Sequence, residues 1–310
     1  MANIPLRDSF GNLLVELGEK KENIVVLDSD LSSSTRTDKF AQKFPERFFN
    51  MGVAEQNTVG SAIGFAISGK IPIVSGFAIF TTGRAWEFIR IAAHDNLNLK
   101  IIPTHSGFVG EDGSTHHALE DLSLMSSLPN ITILIPLDNN ELKQMMEKSI
   151  NTEGLFYVRL PRDSFPEIHK KNYRFNLGKI DVLKDGLDLC LIGSGFGASL
   201  GYETALAIEK QQKISVKVIN LSTIKPIDIN DLINQVQGCK GVILIEEHNN
   251  YCGIGSIISK ILSEYNPIPM KFVGIENTFG QSGTRSALLN AYGLNKEAIM
   301  MRVNELFKKI

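Results

Sequence analysis

The sequence predicts an α/β protein built from two successive α/β domains, and three observations carry that prediction. Strand-length apolar runs alternate with helix-spaced segments from residue 1 to about residue 160. The same alternation begins again after residue 178. Between the two stretches, Leu160 to Gly178 holds two prolines, several Lys and Arg residues and little apolar periodicity, which reads as an exposed connection. The expected domains are therefore 1–165 and 178–310, each large enough for its own core.

The elements follow in order. Ser9 to Lys20 carries Phe10, Leu13, Leu14 and Leu17, the i, i+3, i+4, i+7 spacing of an amphipathic helix. Ile24 to Leu27 reads as a buried strand and Phe48 to Val53 as a second one. A helix through Gly60, Ala62, Gly64 and Ala66 follows, whose small side chains permit close approach of another backbone. Ile71 to Val74, Lys100 to Pro103 and Ile131 to Ile135 are further strands. A helix at Trp86 to Asn96 and a long loop from Thr104 to Leu119 separate them. The second domain opens with Leu189 to Ile192, a Gly-rich turn and a helix through Ala205, and continues with strands at Val216–Asn220, Val242–Glu246 and Met270–Gly274.

Composition narrows the function classes. Lys plus Arg (32) nearly balances Asp plus Glu (34), a net charge of −2, so no global field favours nucleic acid. The charge-free stretches Asn57–Gly69, Ile71–Gly83 and Leu189–Tyr202 are too short and too rich in Gly, Ser and Thr to span a bilayer. Arg7 and Asp8 interrupt the start before a signal-peptide core could form, so the expected location is cytoplasmic. Cys190, Cys239 and Cys252 lack paired spacing and are expected to be buried thiols.

Several groups could carry chemistry. Gly193-Ser194-Gly195-Phe196-Gly197 sits between a strand and a helix as a dinucleotide turn would, but no acidic residue ends the next strand, and a plain tight turn is favoured. Glu55, in Gly52-Val53-Ala54-Glu55-Gln56-Asn57, stands at the carboxyl end of a predicted strand, where open α/β sheets bind ligands. A carboxylate in such apolar sequence is neutralised by a partner, kept for proton chemistry, or placed to favour a helix start. The loop Thr104 to His117 packs three histidines, two acids and three glycines into fourteen residues, a density typical of functional loops. Metal binding by His116 and His117 is a minor alternative, because adjacent side chains point apart and no further ligand completes a set. His94 reads as a hydrogen-bonded core residue. Phe77 and Phe80 are either core or an apolar platform for a ring.

In this order, GVAEQN at 52–57, SGFAIF at 75–80, the THSGFVGEDGSTHH loop and VRLPR at 158–162 resemble the carboxyl-terminal half of transketolase and its relative 1-deoxyxylulose-5-phosphate synthase, over nearly the whole chain. The resemblance implies a thiamine diphosphate pyrimidine-binding domain followed by a transketolase C-terminal-like domain. It implies that Glu55 hydrogen-bonds N1′ of the cofactor's aminopyrimidine, that Phe77 and Phe80 pack against that ring, and that Asp30 lies near the cofactor. It assigns Asp112 and His116 to sugar hydroxyls near the reacting carbons, and Arg7, Ser34, His105 and Arg159 to the sugar phosphate. The one-residue-shorter loop matches the synthase in its step to Asp112, whereas His105 and Val74 match transketolase.

The family also holds the diphosphate and Mg2+ with a Gly-Asp-Gly motif and a later asparagine, and no such arrangement occurs in these 310 residues. The implied arrangement is a split transketolase: an N-terminal subunit supplies the diphosphate-binding domain and metal site, two of each chain assemble, and the small-residue helix after Glu55 is an interface. Sugar phosphates would be the substrates. Three rivals remain: a subunit like 1-deoxyxylulose-5-phosphate synthase, a 2-oxoacid dehydrogenase beta-type subunit, and a non-catalytic partner subunit.

Overall fold

The computed structural model describes residues 4–307. Its twelve strands are β1 (Ile24–Asp28), β2 (Phe48–Asn50), β3 (Ile71–Ser75), β4 (Lys100–Ile101), β5 (Ile131–Leu134), β6 (Leu155–Val158), β7 (Asp181–Lys184), β8 (Leu189–Gly193), β9 (Val216–Asn220), β10 (Thr223–Lys225), β11 (Gly241–Asn249) and β12 (Met270–Ile275). They form a seven-stranded sheet in the order β10-β5-β6-β4-β3-β1-β2 and a five-stranded sheet in the order β12-β11-β8-β9-β7. All pairings are parallel except β10 on β5 and β7 on β9, the two antiparallel edges. Parallel strands covered by helices on both faces must be apolar throughout, and β1, β3, β6 and β8 are buried at every position.

The first helix spans Leu6–Lys20 and buries Phe10, Leu13, Leu14 and Leu17, as the spacing predicts. The second strand is shorter than expected. It ends at Asn50, and Gly52 turns the chain at φ +70° into the helix Glu55–Ile67. The strands β6, β7 and β10 are not predicted from the sequence, being too short to show a period.

β10 belongs to the second half of the chain by sequence but extends the first sheet, with Thr223 opposite Leu134 and Lys225 opposite Ile133. The turn 193–197 is a packing device. A Cβ on Gly197 would stand 2.1 Å from the Ile245 carbonyl oxygen, so helix Phe196–Gln212 meets the sheet at backbone distance only because glycine is there.

The connecting segment is not simply exposed, in contrast to the sequence expectation. Phe165 is buried, and the imidazole of His169 lies between Asp138, 2.9 Å from Nδ1, and Asp181, 2.8 Å from Nε2. Tyr173 stacks on its ring at 3.7 Å and donates to Glu141, and Glu141 also receives Ser222 from the second half. Burial opposes charging His169, but its close contacts with Asp138 and Asp181 and the charge of Glu141 push its pKa up to about 10. Because the folded value lies above the ordinary 6.5, the stabilisation is complete below about pH 6.5 and is lost as pH rises towards about 10. Urea midpoints measured across that window are expected to fall for the native chain and to fall less steeply for His169→Gln.

Among the thiols Cys190 is buried as expected, whereas Cys239 is half-buried and Cys252 is exposed. Among the described residues no helix is long and apolar enough to cross a membrane.

Candidate active site

The carboxyl ends of β1, β2, β3, β4 and β6 converge, so the residues that follow these strands share one edge of the first sheet. Glu55 opens its helix and is buried. Both of its carboxylate oxygens accept from Arg84 Nη1 at 3.1 Å. The half-exposed Arg84 guanidinium also lies 4.4 Å from the centroid of the Phe80 ring. One side chain therefore spans Glu55 and the aromatic platform. Of the readings open in the sequence, neutralisation by a partner describes this structure. Arg84 was not anticipated, although its i, i+4 spacing from Phe80 on helix Ala78–Arg84 was the available signal.

Phe77 and Phe80 stand with ring centroids 6.3 Å apart and planes within 20°. His105 stacks on Phe77 at 3.9 Å, and His116 meets Phe80 edge-on at 5.2 Å. The four rings form a shelf beside Glu55. A flat heteroaromatic ring with a basic nitrogen fits that shelf: aromatic faces for the ring and a buried carboxylate for the nitrogen.

The second cluster is cationic. Arg7 Nη1 donates to the Ser34 carbonyl at 3.3 Å and lies 3.4 Å from His105 Nε2, so Arg7, Ser34 and His105 are brought together as expected, Ser34 through its backbone. Thr104 Oγ1 is 2.8 Å from His105 Nδ1. With Arg7 donating to Nε2, the proton of a neutral imidazole sits on Nδ1. Burial, then Arg7 and Arg162, push the His105 pKa down to about 3. His105 holds φ +61°, and Arg7 Nε is buried with no hydrogen-bond partner among the described residues, in a positive pocket. An oxyanion is the ligand such a pocket accepts.

Asp112 is exposed and pairs with Arg162 at 3.0 Å. His116 and His117 diverge. His116 joins the shelf, with Thr115 Oγ1 3.0 Å from its Nδ1. His117 is buried, accepts Val109 N–H at Nδ1 (3.1 Å) and donates from Nε2 to the Gln281 carbonyl (3.0 Å). They share no metal site. Among the described residues the one cluster of three potential metal ligands is Glu141, His169 and Asp181 at the junction of the two halves. Asp30 is exposed at φ +64° and accepts from Asn50 Nδ2 at 2.9 Å, whereas the neighbouring Asp28 is buried and ties down Leu31, Thr35 and Thr37.

Two expectations are corrected. Arg159 does not face the cationic pocket. It is buried and directs Nε and Nη2 at Asp121 (2.7 and 3.0 Å), whose other hydrogen-bond donor is Tyr157 at 2.6 Å. Burial opposes ionising Asp121, but Arg159 overrides it and holds the carboxyl below its usual range. Arg162, the other arginine of VRLPR, turns outward past Pro161 and lowers the pKa of both Arg7 and His105 by its charge. The residue just after β6 points inward and the one beyond the proline points out, which spacing alone does not distinguish. His94, in turn, is exposed and its ring bonds Asp95.

These features make a two-domain α/β chain that carries an aromatic shelf, a buried carboxylate and an adjoining cationic cluster at one edge of its first sheet. Residues 2–167 match the family model for the transketolase pyrimidine binding domain, and residues 178–299 match that for the transketolase C-terminal domain. The chain belongs to the transketolase family. It is 40% identical to a putative transketolase C-terminal section of Methanocaldococcus jannaschii, over 98% of this chain and 96% of that one. It is 32% identical to one of the apulose-4-phosphate transketolase subunits, that of Phocaeicola vulgatus, over the full length of both. A solved split-gene transketolase, described as an inactive beta4 tetramer, superposes with a TM-score of 0.90 at 40% identity and covers 99% of each chain.

Proposed function

We propose that this chain is one subunit of a thiamine diphosphate-dependent transketolase that moves a two-carbon ketol unit between sugar phosphates. The observation that carries the reading is the shelf of Phe77 and Phe80 beside buried Glu55, with the oxyanion pocket of Arg7, His105 and Arg162 on the same edge. When bound, thiamine diphosphate supplies the nucleophilic carbon and the electron sink for breaking a carbon–carbon bond.

Glu55 would hold a proton at N1′ of the aminopyrimidine, with the ring nitrogen in place of Arg84 as the partner of its carboxylate. Phe77 and Phe80 orient the ring and keep water from it. His116 and Asp112 hydrogen-bond the sugar hydroxyls at the reacting end. Arg7 and Arg162 grip the phosphate, with His105 and Ser34 beside them. Placing the phosphate in a fixed pocket aligns the bond to be broken, which is where orientation lowers the barrier.

The diphosphate and Mg2+ sites are assigned to an N-terminal partner subunit, two copies of each chain assembling. The naming of the relatives as a C-terminal section, a transketolase subunit and a split-gene protein supports this. So does the helix Glu55–Ile67, whose exposed face carries Gly64, where an added Cβ would meet nothing, and Ile67. Pentose phosphates are the simplest donors and acceptors for the pocket.

Co-purification of the tagged chain with its bound partner, followed by assay of the pair, tests the proposal. Ketol transfer from a ketose phosphate to an aldose phosphate is the expected result. Carbon dioxide release from pyruvate without sugar transfer would instead assign a 2-oxoacid dehydrogenase beta-type role. Condensation of pyruvate with glyceraldehyde 3-phosphate would assign the synthase reaction. Micromolar binding of thiamine diphosphate and magnesium by the chain alone would overturn the split.

A further inference from the structure

The shelf and oxyanion-pocket residues named above all come from the first domain, yet the second grips the loop that carries Asp112 and His116. The grip is built at the end of β11, where pairing with β12 runs from Val242 to Ile245, breaks, and resumes at Asn249. The irregular stretch frees three consecutive polar side chains to turn to different neighbours. Glu246 accepts the first amides of the helix Ile254–Tyr265, at 2.7 Å from Ile254 and 3.2 Å from Gly255. His248 is buried near Asp121. Glu247 reaches the loop.

Glu247 Oε1 accepts the Phe108 N–H at 2.7 Å, and Arg285 Nη1 donates to the Phe108 carbonyl at 2.8 Å. Glu247 and Arg285 are themselves paired through two contacts, one of them 2.7 Å from Nη2 to Oε2. Both polar groups of one loop residue are thus held by an ion pair from the other domain. Gly107 lets this happen: at φ +73° it brings the backbone so near that an added Cβ would stand 2.4 Å from the Glu247 carboxyl carbon. The grip continues at His117, which donates to the Gln281 carbonyl, and at Asn249, whose N–H donates to the Leu119 carbonyl at 2.9 Å.

We infer that Glu247 and Arg285 are positioning residues for ketol transfer: through Phe108 they fix the loop that presents Asp112 and His116, and the C-terminal domain acts as the clamp on the substrate side of the site. The inference rests on the transketolase reading for its kinetic part only. A charge-assisted bond at each end of the Phe108 backbone holds the loop with little freedom, where a neutral contact would let it sample other positions.

The test uses the chain with its co-purified partner and compares Glu247→Ala, Glu247→Gln and Arg285→Lys with the native protein by hydrogen exchange and steady-state kinetics. Glu247→Ala is expected to speed exchange at the Phe108 and Val109 amides roughly tenfold or more, with β8 and β9 unchanged. It is expected to raise KM for the sugar phosphate and lower kcat together, while Glu247→Gln, which keeps an acceptor for Phe108, recovers most of both. Faster exchange spread over the whole second domain, or a loosened loop with native kinetics, would overturn the positioning role. If the native pair shows no ketol transfer, the exchange arm still reads the clamp, and a loop unaffected by Glu247→Ala overturns it independently.

Discussion

Glu55→Ala in the assembled pair is expected to lower kcat about 10³-fold, the scale of a lost proton-transfer group, and Glu55→Gln nearly as much. The size follows from where the carboxylate sits. It is buried at a helix start beside the ring shelf, bridged to Phe80 by Arg84. Its loss leaves only Arg84 without a partner, and that guanidinium is half-exposed and reaches solvent, so the thermal midpoint should barely move. Steady-state ketol transfer and a melting curve on the same preparations check both halves of the statement. A Glu55→Gln pair that kept a tenth or more of the native rate would favour the non-catalytic reading of this subunit.

The two arginines of VRLPR should separate stability from substrate binding. Arg159→Ala strips the cation from Asp121 in a buried site and is expected to cost about 3–5 kcal/mol in denaturant unfolding, with poor yield of folded protein. Arg162→Ala breaks an ion pair that is nearly half in solvent, so its stability cost is expected within about 1 kcal/mol. Its effect should appear instead as a roughly 10- to 100-fold rise in KM for phosphorylated sugars, the worth of a hydrogen bond to a charged group. The opposite pattern, a stable Arg159→Ala with weakened phosphate binding, would restore Arg159 to the pocket.

Most of the architecture was legible because parallel sheets write themselves plainly. Ile24–Asp28, Ile71–Ser75 and Leu189–Gly193 are continuous apolar runs between helical segments, and the polar residues that follow them mark the binding edge. Short edge strands carry no such mark. Three residues at Thr223–Lys225 show neither period nor run, and their pairing is decided by the fold around them. At the site, residue types were readable but directions were not. Phe77, Phe80, His105 and His116 come together because they follow the ends of adjacent strands. Arg159 and Arg162 differ only in how the chain bends at Pro161. His94 lies on the solvent side of its helix, and one misjudged face turned an exposed residue into a core one. The connection was misjudged because a buried imidazole between two carboxylates leaves no hydrophobic signal.

The strand β10 has a consequence for how this chain can be divided. A gene cut at the apparent linker would give a first fragment whose sheet ends at a bare β5, with Ile133 and Leu134 offering unpaired backbone to any passing strand. The second fragment would carry Thr223–Lys225 with no sheet to join. Such pieces invite aggregation or mutual recapture rather than independent folding. Shuffling between enzymes therefore requires moving both domains as one unit, because residues through 225 complete the first sheet while β7, β8 and β9 among them share the second sheet with β11 and β12, so hydrogen bonding and not linker composition sets the boundary.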